Sequence, residues 1–226
     1  NIIIIEDASE SLGSFYKKGN YTNCHTGTIG KLGCFSFNGN KIITTGGGGM
    51  IVTDDASIAA KAKYLTTQAK DDPVRYVHNE VGYNFRLTNI QAAMGVAQLE
   101  QLSKFLLRKR EIFQQYQKNI NKTKGFSIAD APNYATNNHW LNVIKIDENV
   151  SGVNRDYLLD LLNKKKIQAR PVWFLNHLQK PFKRFQAYKI NLANHLYESS
   201  FCIPSGTNIL NSEIRKVINT INRVHI

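Results

Sequence analysis

Four isoleucines in succession, Ile2 to Ile5, run directly into Glu6 and Asp7. A continuous β-branched run with no polar alternation is the pattern of a strand covered on both faces, as in a parallel sheet lying between helices. It predicts an α/β chain in which carboxylates stand at the carboxyl end of a central strand, where open α/β sheets place their ligands. The chain opens inside this strand, so these residues are expected to be the later part of a longer polypeptide. With 226 residues and 42% apolar content, it can bury a core as one large domain or two small ones.

The second constraining stretch runs from Gly33 to Gly49. Cys34, Phe35, Ser36 and Phe37 alternate as a strand, Asn38-Gly39-Asn40 turns the chain, and the turn delivers Lys41 ahead of Ile42, Ile43 and four glycines. Small and apolar neighbours read as a partly dry setting for the lysine, which favours the neutral amine, the form that acts as a nucleophile. Ser36, five residues earlier, can bring a hydroxyl to the same ligand, donating to a phosphate while the amine attacks a carbonyl. The glycines do not match a phosphate-binding loop by spacing, and read as permitting close backbone approach and unusual dihedrals beside Lys41. Asp7 has no cationic neighbour in sequence and needs a partner for its charge, either a protonated heterocycle or, as a capping residue, a helix end.

Between these stretches and the far end, the pattern sets out two lobes. Met50 to Thr53 reads as a strand, Asp54-Asp55 as the cap of a helix running to about Ala69, and Thr88 with Gln91 as a capping box. From Ile90 to about Asn119 the apolar positions keep helical spacing, which predicts one long helix kinked near Ser103. After it come strands at 139–146 and 167–173 with a helix at 154–166 between them, then helices at 190–201 and 212–224. The domains expected are residues 1–102, with the start of the connecting helix, and residues 103–226. Asn84 and Arg86, in the loop before the long helix, can bind an anion or make ordinary loop contacts.

Other features exclude more than they assign. The net charge of +12 is scattered, which argues against nucleic acid and suits anionic small molecules. Cys24, Cys34 and Cys202 have neither zinc nor redox spacing and read as free thiols of a reducing cytoplasm. No apolar run reaches the length of a membrane span. His139 and His177 have no spacing that suggests a metal, and Phe35, Phe37, Trp140 and Trp173 read as core.

Taken in order, Glu6-Asp7-Ala8-Ser9-Glu10-Ser11-Leu12-Gly13, Thr26-Gly27-Thr28-Ile29-Gly30, Cys34 to Lys41, Thr44 to Gly49, Gly82 to Leu87 with Asn89 to Ala93, and Arg170 to Trp173 with His177 resemble the DegT/DnrJ/EryC1/StrS sugar aminotransferases over essentially the whole chain. The resemblance implies the later part of a fold-type I enzyme that uses pyridoxal 5′-phosphate: part of a large domain with a mixed, mostly parallel sheet, a long connecting helix and a small C-terminal α/β domain. It implies amino transfer from an amino acid, usually glutamate, to a nucleotide-linked keto sugar for surface glycans. Carried over by position, Lys41 is the Schiff-base lysine and Asp7 the partner of the pyridinium nitrogen. Ser36 then contacts the phosphate, and Asn84 reaches the phosphate of the neighbouring subunit's cofactor in a homodimer. Glu10 stands near the cofactor ring, where many members carry Gln or His. Arg86 and His177 are the candidate substrate contacts. Glu6 to Leu12 look closest to the branch that makes 4-amino sugars of the legionaminic-acid or bacillosamine type. Family dehydratases that use the same cofactor carry His at the lysine position, so Lys41 argues for transamination. The family's Gly-Thr phosphate loop and ring-stacking aromatic, which precede this region, are absent from these 226 residues.

Overall fold

The computed structural model describes residues 2–224. In chain order its first elements are β1 (Ile5–Asp7), β2 (Phe15–Tyr16), β3 (Leu32–Ser36), β4 (Gly49–Val52), α1 (Ala56–Thr66), α2 (Asn89–Leu99) and α3 (Leu102–Ile120). These are followed by β5 (Phe126–Ile128), β6 (Ala135–Thr136), β7 (Asn142–Ile146), α4 (Glu148–Ser151), α5 (Arg155–Lys164), β8 (Arg170–Pro171), α6 (Asn191–Ser199), β9 (Ser200–Ile203) and α7 (Asn211–Asn222). Two compact units result, one of Asn1–Leu107 with Ala131–Trp140 and one of Arg108–Asp130 with Leu141–Ile226. Residues 131–140 thus return to the first unit after the chain has begun the second.

The sheet of the first unit has the order β1-β3-β4. β1 and β3 are parallel, with Asp7 opposite Cys34, whereas β3 and β4 are antiparallel. The sheet is therefore mixed, with one pairing of each kind. The expected double coverage of Ile2–Ile5 is not found: only Ile5 joins β1, and the four side chains are 94, 71, 60 and 64% exposed. Among the described residues β1 is hydrogen-bonded only by β3, and the isoleucines that read as central-strand residues are exposed.

Glycine is required where backbones touch. A Cβ on Gly33 would stand 1.9 Å from the carbonyl oxygen of Gly27, and one on Gly49 would stand 2.3 Å from that of Phe35. In the glycine run, Gly46 and Gly48 have φ of 78° and 82°, the left-handed region that glycine enters without a Cβ penalty. The chain folds back there on Phe37, whose N–H donates to Gly48 O at 3.0 Å and whose carbonyl accepts from Thr45 N at 3.0 Å. Phe37, Ile42 and Ile43 are buried beneath this turn.

Helix starts follow the expected chemistry. Asp55 caps α1 by accepting from Ser57 N at 2.9 Å and Ile58 N at 3.2 Å. Thr88 and Gln91 form the capping box of α2. The single long helix is instead two, α2 and α3, interrupted at Glu100 and Gln101. Neither glycine nor proline marks the interruption.

In the second unit the sheet order is β5-β7-β9-β8, antiparallel throughout. Strand alternation sends Phe126, Ile128, Ile144, Ile146, Phe201 and Ile203 into one core, where they meet Ile112, Tyr116 and Ile120 of α3, Leu158 and Leu162 of α5, and Ile214 and Ile221 of α7. The strand expected at 167–173 is reduced to Arg170–Pro171, in keeping with proline's lack of an N–H and its confinement to sheet edges. Trp173, expected in the core, is 61% exposed. Ile144→Ala removes a fully buried side chain; it is expected to lower the unfolding free energy by about 2–5 kcal/mol in denaturant titrations.

Candidate active site

The first unit gathers its chemistry at one sheet edge because β1 and β3 run parallel. Asp7 closes β1, Ser36 closes β3, and Ala8 N donates to Cys34 O at 2.9 Å, so the two strands leave the sheet side by side. The turn that follows β3 is closed by Lys41 N donating to Asn38 O at 3.1 Å, and it carries the lysine back to this edge. The buried Ile42 and Ile43 fix the direction of the chain on the far side.

The loop beside this edge is held by Glu6. Its Oε1 accepts from Gly27 N at 2.8 Å, and its Oε2 accepts from Ile29 N and Gly30 N at 2.6 Å each. Burial raises the carboxyl's pKa, but the N–H groups of Gly30, Gly27 and Ile29 together outweigh it and leave the acid below its ordinary value. Glu6 is therefore a structural clamp.

Asp7 is exposed and ionised. The hydroxyl and the backbone N–H of Ser9 both donate to its Oδ1, and the charge of Lys41 acts in the same direction, so its pKa lies below the ordinary aspartate value. Asp7 has no cationic neighbour in sequence, and Ser9, two residues on, is the local donor to its charge. Ser36 Oγ accepts from Asn38 N at a long 3.4 Å.

Lys41 is the shielded member of the group. Its side chain is 12% exposed, its Nζ donates to Glu10 Oε1 at 2.9 Å, and it lies 4.5 Å from the centroid of the Trp140 ring. Trp140 is buried as expected, but it also has a face on the lysine, which the sequence did not indicate. Its indole Nε1 donates to Asn40 O at 2.6 Å, one residue before Lys41. Asn138, also missed, is buried; its Nδ2 donates to Glu10 O at 2.7 Å and Leu12 O at 3.0 Å, and its N–H to Ser14 Oγ at 3.2 Å. No periodicity signals these two residues, because they act through a ten-residue return of the chain about a hundred positions later.

The remaining candidates lie elsewhere. Asn84 bridges to Thr67 and accepts at Oδ1 from Arg86 Nε at 3.4 Å, and Arg86 Nη2 reaches Gln68 Oε1 at 3.3 Å. Both residues are exposed. Arg86 lines a cleft of about 910 Å³ with Phe35, Met50, Ile51 and Leu87, a lining that includes none of Lys41, Asp7 and Ser36. His177 belongs to the second unit, in a short 3-10 turn, and lines a separate hollow with Phe182 and Phe185.

A shielded amine, an ionised carboxylate and a hydroxyl thus stand at the carboxyl edge of a mixed sheet. The DegT/DnrJ/EryC1/StrS aminotransferase family model matches residues 1–222, and the chain belongs to that family. It is similar to EpsN of Bacillus subtilis strain 168, provisionally assigned as a pyridoxal phosphate-dependent aminotransferase, with 38% identity over 96% of this chain and 55% of that protein. It is also similar to the GDP-perosamine synthase of Escherichia coli O157:H7, with 35% identity over 100% of this chain and 59% of that one. Among solved structures, DesI in the presence of its TDP-sugar product aligns with 25% identity and a TM-score of 0.86, over 99% of this chain and 57% of that one. The chain thus spans less than three-fifths of the length of these relatives. The fold is that of the fold-type I aminotransferases, whose cofactor is pyridoxal 5′-phosphate. The donor set fits that cofactor: an amine, an ionised acceptor and a hydroxyl share one edge.

Glu6→Gln places an amide N–H₂ among backbone donors and is expected to cost about 1–3 kcal/mol. The wild-type carboxyl, lowered by folding, contributes stability that is complete above the ordinary glutamate value and is lost as pH falls through the folded value. Acid titration of the unfolding free energy is expected to show this loss in the wild type and a shallower dependence in Glu6→Gln.

Proposed function

We propose that this chain carries the lysine-bearing part of an aminotransferase that moves an amino group from an amino acid, glutamate, to a nucleotide-linked keto-deoxy sugar in cytoplasmic synthesis of surface glycans. The observation that carries this reading is the position of Lys41, shielded beside Glu10 and Trp140 at the edge that also bears Asp7 and Ser36. When bound, pyridoxal phosphate supplies the protonated ring that takes up the electron pair left as a proton is removed beside the amino nitrogen.

The chain's own residues do the rest. Asp7, kept ionised by Ser9 and Lys41, accepts the hydrogen bond of the ring nitrogen and keeps it protonated. Ser36 turns its hydroxyl to the phosphate. Lys41 would provide the amine that holds the cofactor and the base that moves the proton beside the amino nitrogen. Glu10 lies beside the ring. Asn84 serves the phosphate site of a second copy, which makes the active unit a homodimer. This agrees with its exposed side chain. Arg86 of the first unit and His177 of the second are each a candidate substrate contact, and the diphosphate of a sugar nucleotide suits a chain of net charge +12. The finer assignment, a 4-amino sugar of the legionaminic-acid or bacillosamine type, rests on Glu6 to Leu12.

In the intact polypeptide, Lys41→Ala is expected to lower transfer from glutamate to a keto sugar nucleotide by at least about 10²–10⁴-fold. Asp7→Asn is expected to lower it while leaving the protein folded. Transfer at the wild-type rate in Lys41→Ala would overturn the proposal.

A further inference from the structure

The proposed reaction requires Lys41 in two conditions, bonded to the cofactor and released from it. A released amine that takes up a proton is a cation on a side chain only 12% exposed, and a shielded cation needs compensation that water no longer gives. Glu10 and Trp140 supply it from two directions. The carboxylate makes a charge-assisted hydrogen bond at 2.9 Å. The indole, the strongest of the aromatic cation acceptors, lies 4.5 Å from the amine.

Both groups are fixed by one short stretch. Trp140 Nε1 holds the carbonyl of Asn40, next to Lys41, and Trp140 N donates to Asn138 Oδ1 at 2.9 Å. Asn138 in turn holds the backbone of Glu10 and Leu12. The turn that carries the amine and the loop that carries its carboxylate partner are thus tied to the same buried residues.

We infer that Glu10 and Trp140 form a holding site for the Lys41 amine when it is not bonded to the cofactor, with Asn138 as the residue that positions the two. Glu10 thereby gains a task of its own, receiving the lysine in each half of the cycle. The inference rests on Lys41 being the amine that bonds the cofactor.

The test uses the intact polypeptide without cofactor, so it does not depend on turnover. Lysines are labelled with an amine-selective acylating reagent at fixed pH, and the Lys41 peptide is followed by mass spectrometry against Lys31, which is partly exposed. Loss of the ring or of the carboxylate frees the amine, so Trp140→Leu and Glu10→Ala are expected to raise the relative rate at Lys41 by about tenfold. Trp140→Phe keeps a ring and is expected to stay within about threefold of the parent. Glu10 is half-exposed, so Glu10→Ala decides the matter if Trp140→Leu does not fold. An unchanged rate in Glu10→Ala, or in a folded Trp140→Leu, overturns the holding site. On the cofactor-loaded protein, Trp140→Leu is expected to lower kcat with the sugar KM unchanged, and Trp140→Phe to restore most of it; equal losses in both would contradict the inference. If the cofactor bonds elsewhere than Lys41, the proposed function falls, whatever the labelling rates.

Discussion

The carboxylate of Glu6, bonded to three backbone N–H groups of residues 27–30, is the interaction on which the first unit turns. It ties β1 to the loop that reaches β3. That loop lies so close to the strand that no residue larger than glycine fits at position 33. With β1 and β3 held in parallel register, Asp7 and Ser36 leave the sheet on one side, and Lys41 comes close enough for its charge to act on Asp7. Releasing Glu6 would remove the support of that register, so a residue one position from Asp7 sets the geometry of the candidate site.

Charge at the site is then a local matter. Asp7 is kept ionised by Ser9 and by the nearby lysine, and Lys41 is compensated by Glu10 and Trp140. The contrast with Lys109 is instructive. That amine is buried in the second unit, donates to Ser205 O at 2.6 Å, and is pulled down by burial to about 8. By the value of its pKa it is a second candidate nucleophile, set in the other unit. Because folding lowers its pKa, Lys109 subtracts stability below about 8 and ceases to do so as pH rises toward the ordinary lysine value.

What could be read in the residues was whatever is decided locally. The caps at Asp55 and Thr88, the turn that delivers Lys41 and the left-handed glycines after it depend on neighbours a few positions apart, and the structure has them. Burial is decided by what covers a segment, so among the described residues four isoleucines that pattern as a central strand are exposed, as is Trp173. The interruption at Glu100 and Gln101 has no breaker residue to announce it. Glu6 was legible as a carboxylate at a strand end but not as a clamp, because its three partners are more than twenty positions away. Asn138 and Trp140 were hidden for the same reason, on a larger scale.

The central claim is that Lys41, and no other amine of the chain, is the one that takes up the cofactor. Incubating the intact polypeptide with pyridoxal phosphate, reducing it with borohydride and mapping the peptides tests this most directly. The account predicts a stoichiometric adduct on the Lys41 peptide and loss of that adduct in Lys41→Ala. An adduct on Lys109 or on scattered surface lysines, with Lys41 unmodified, would contradict it.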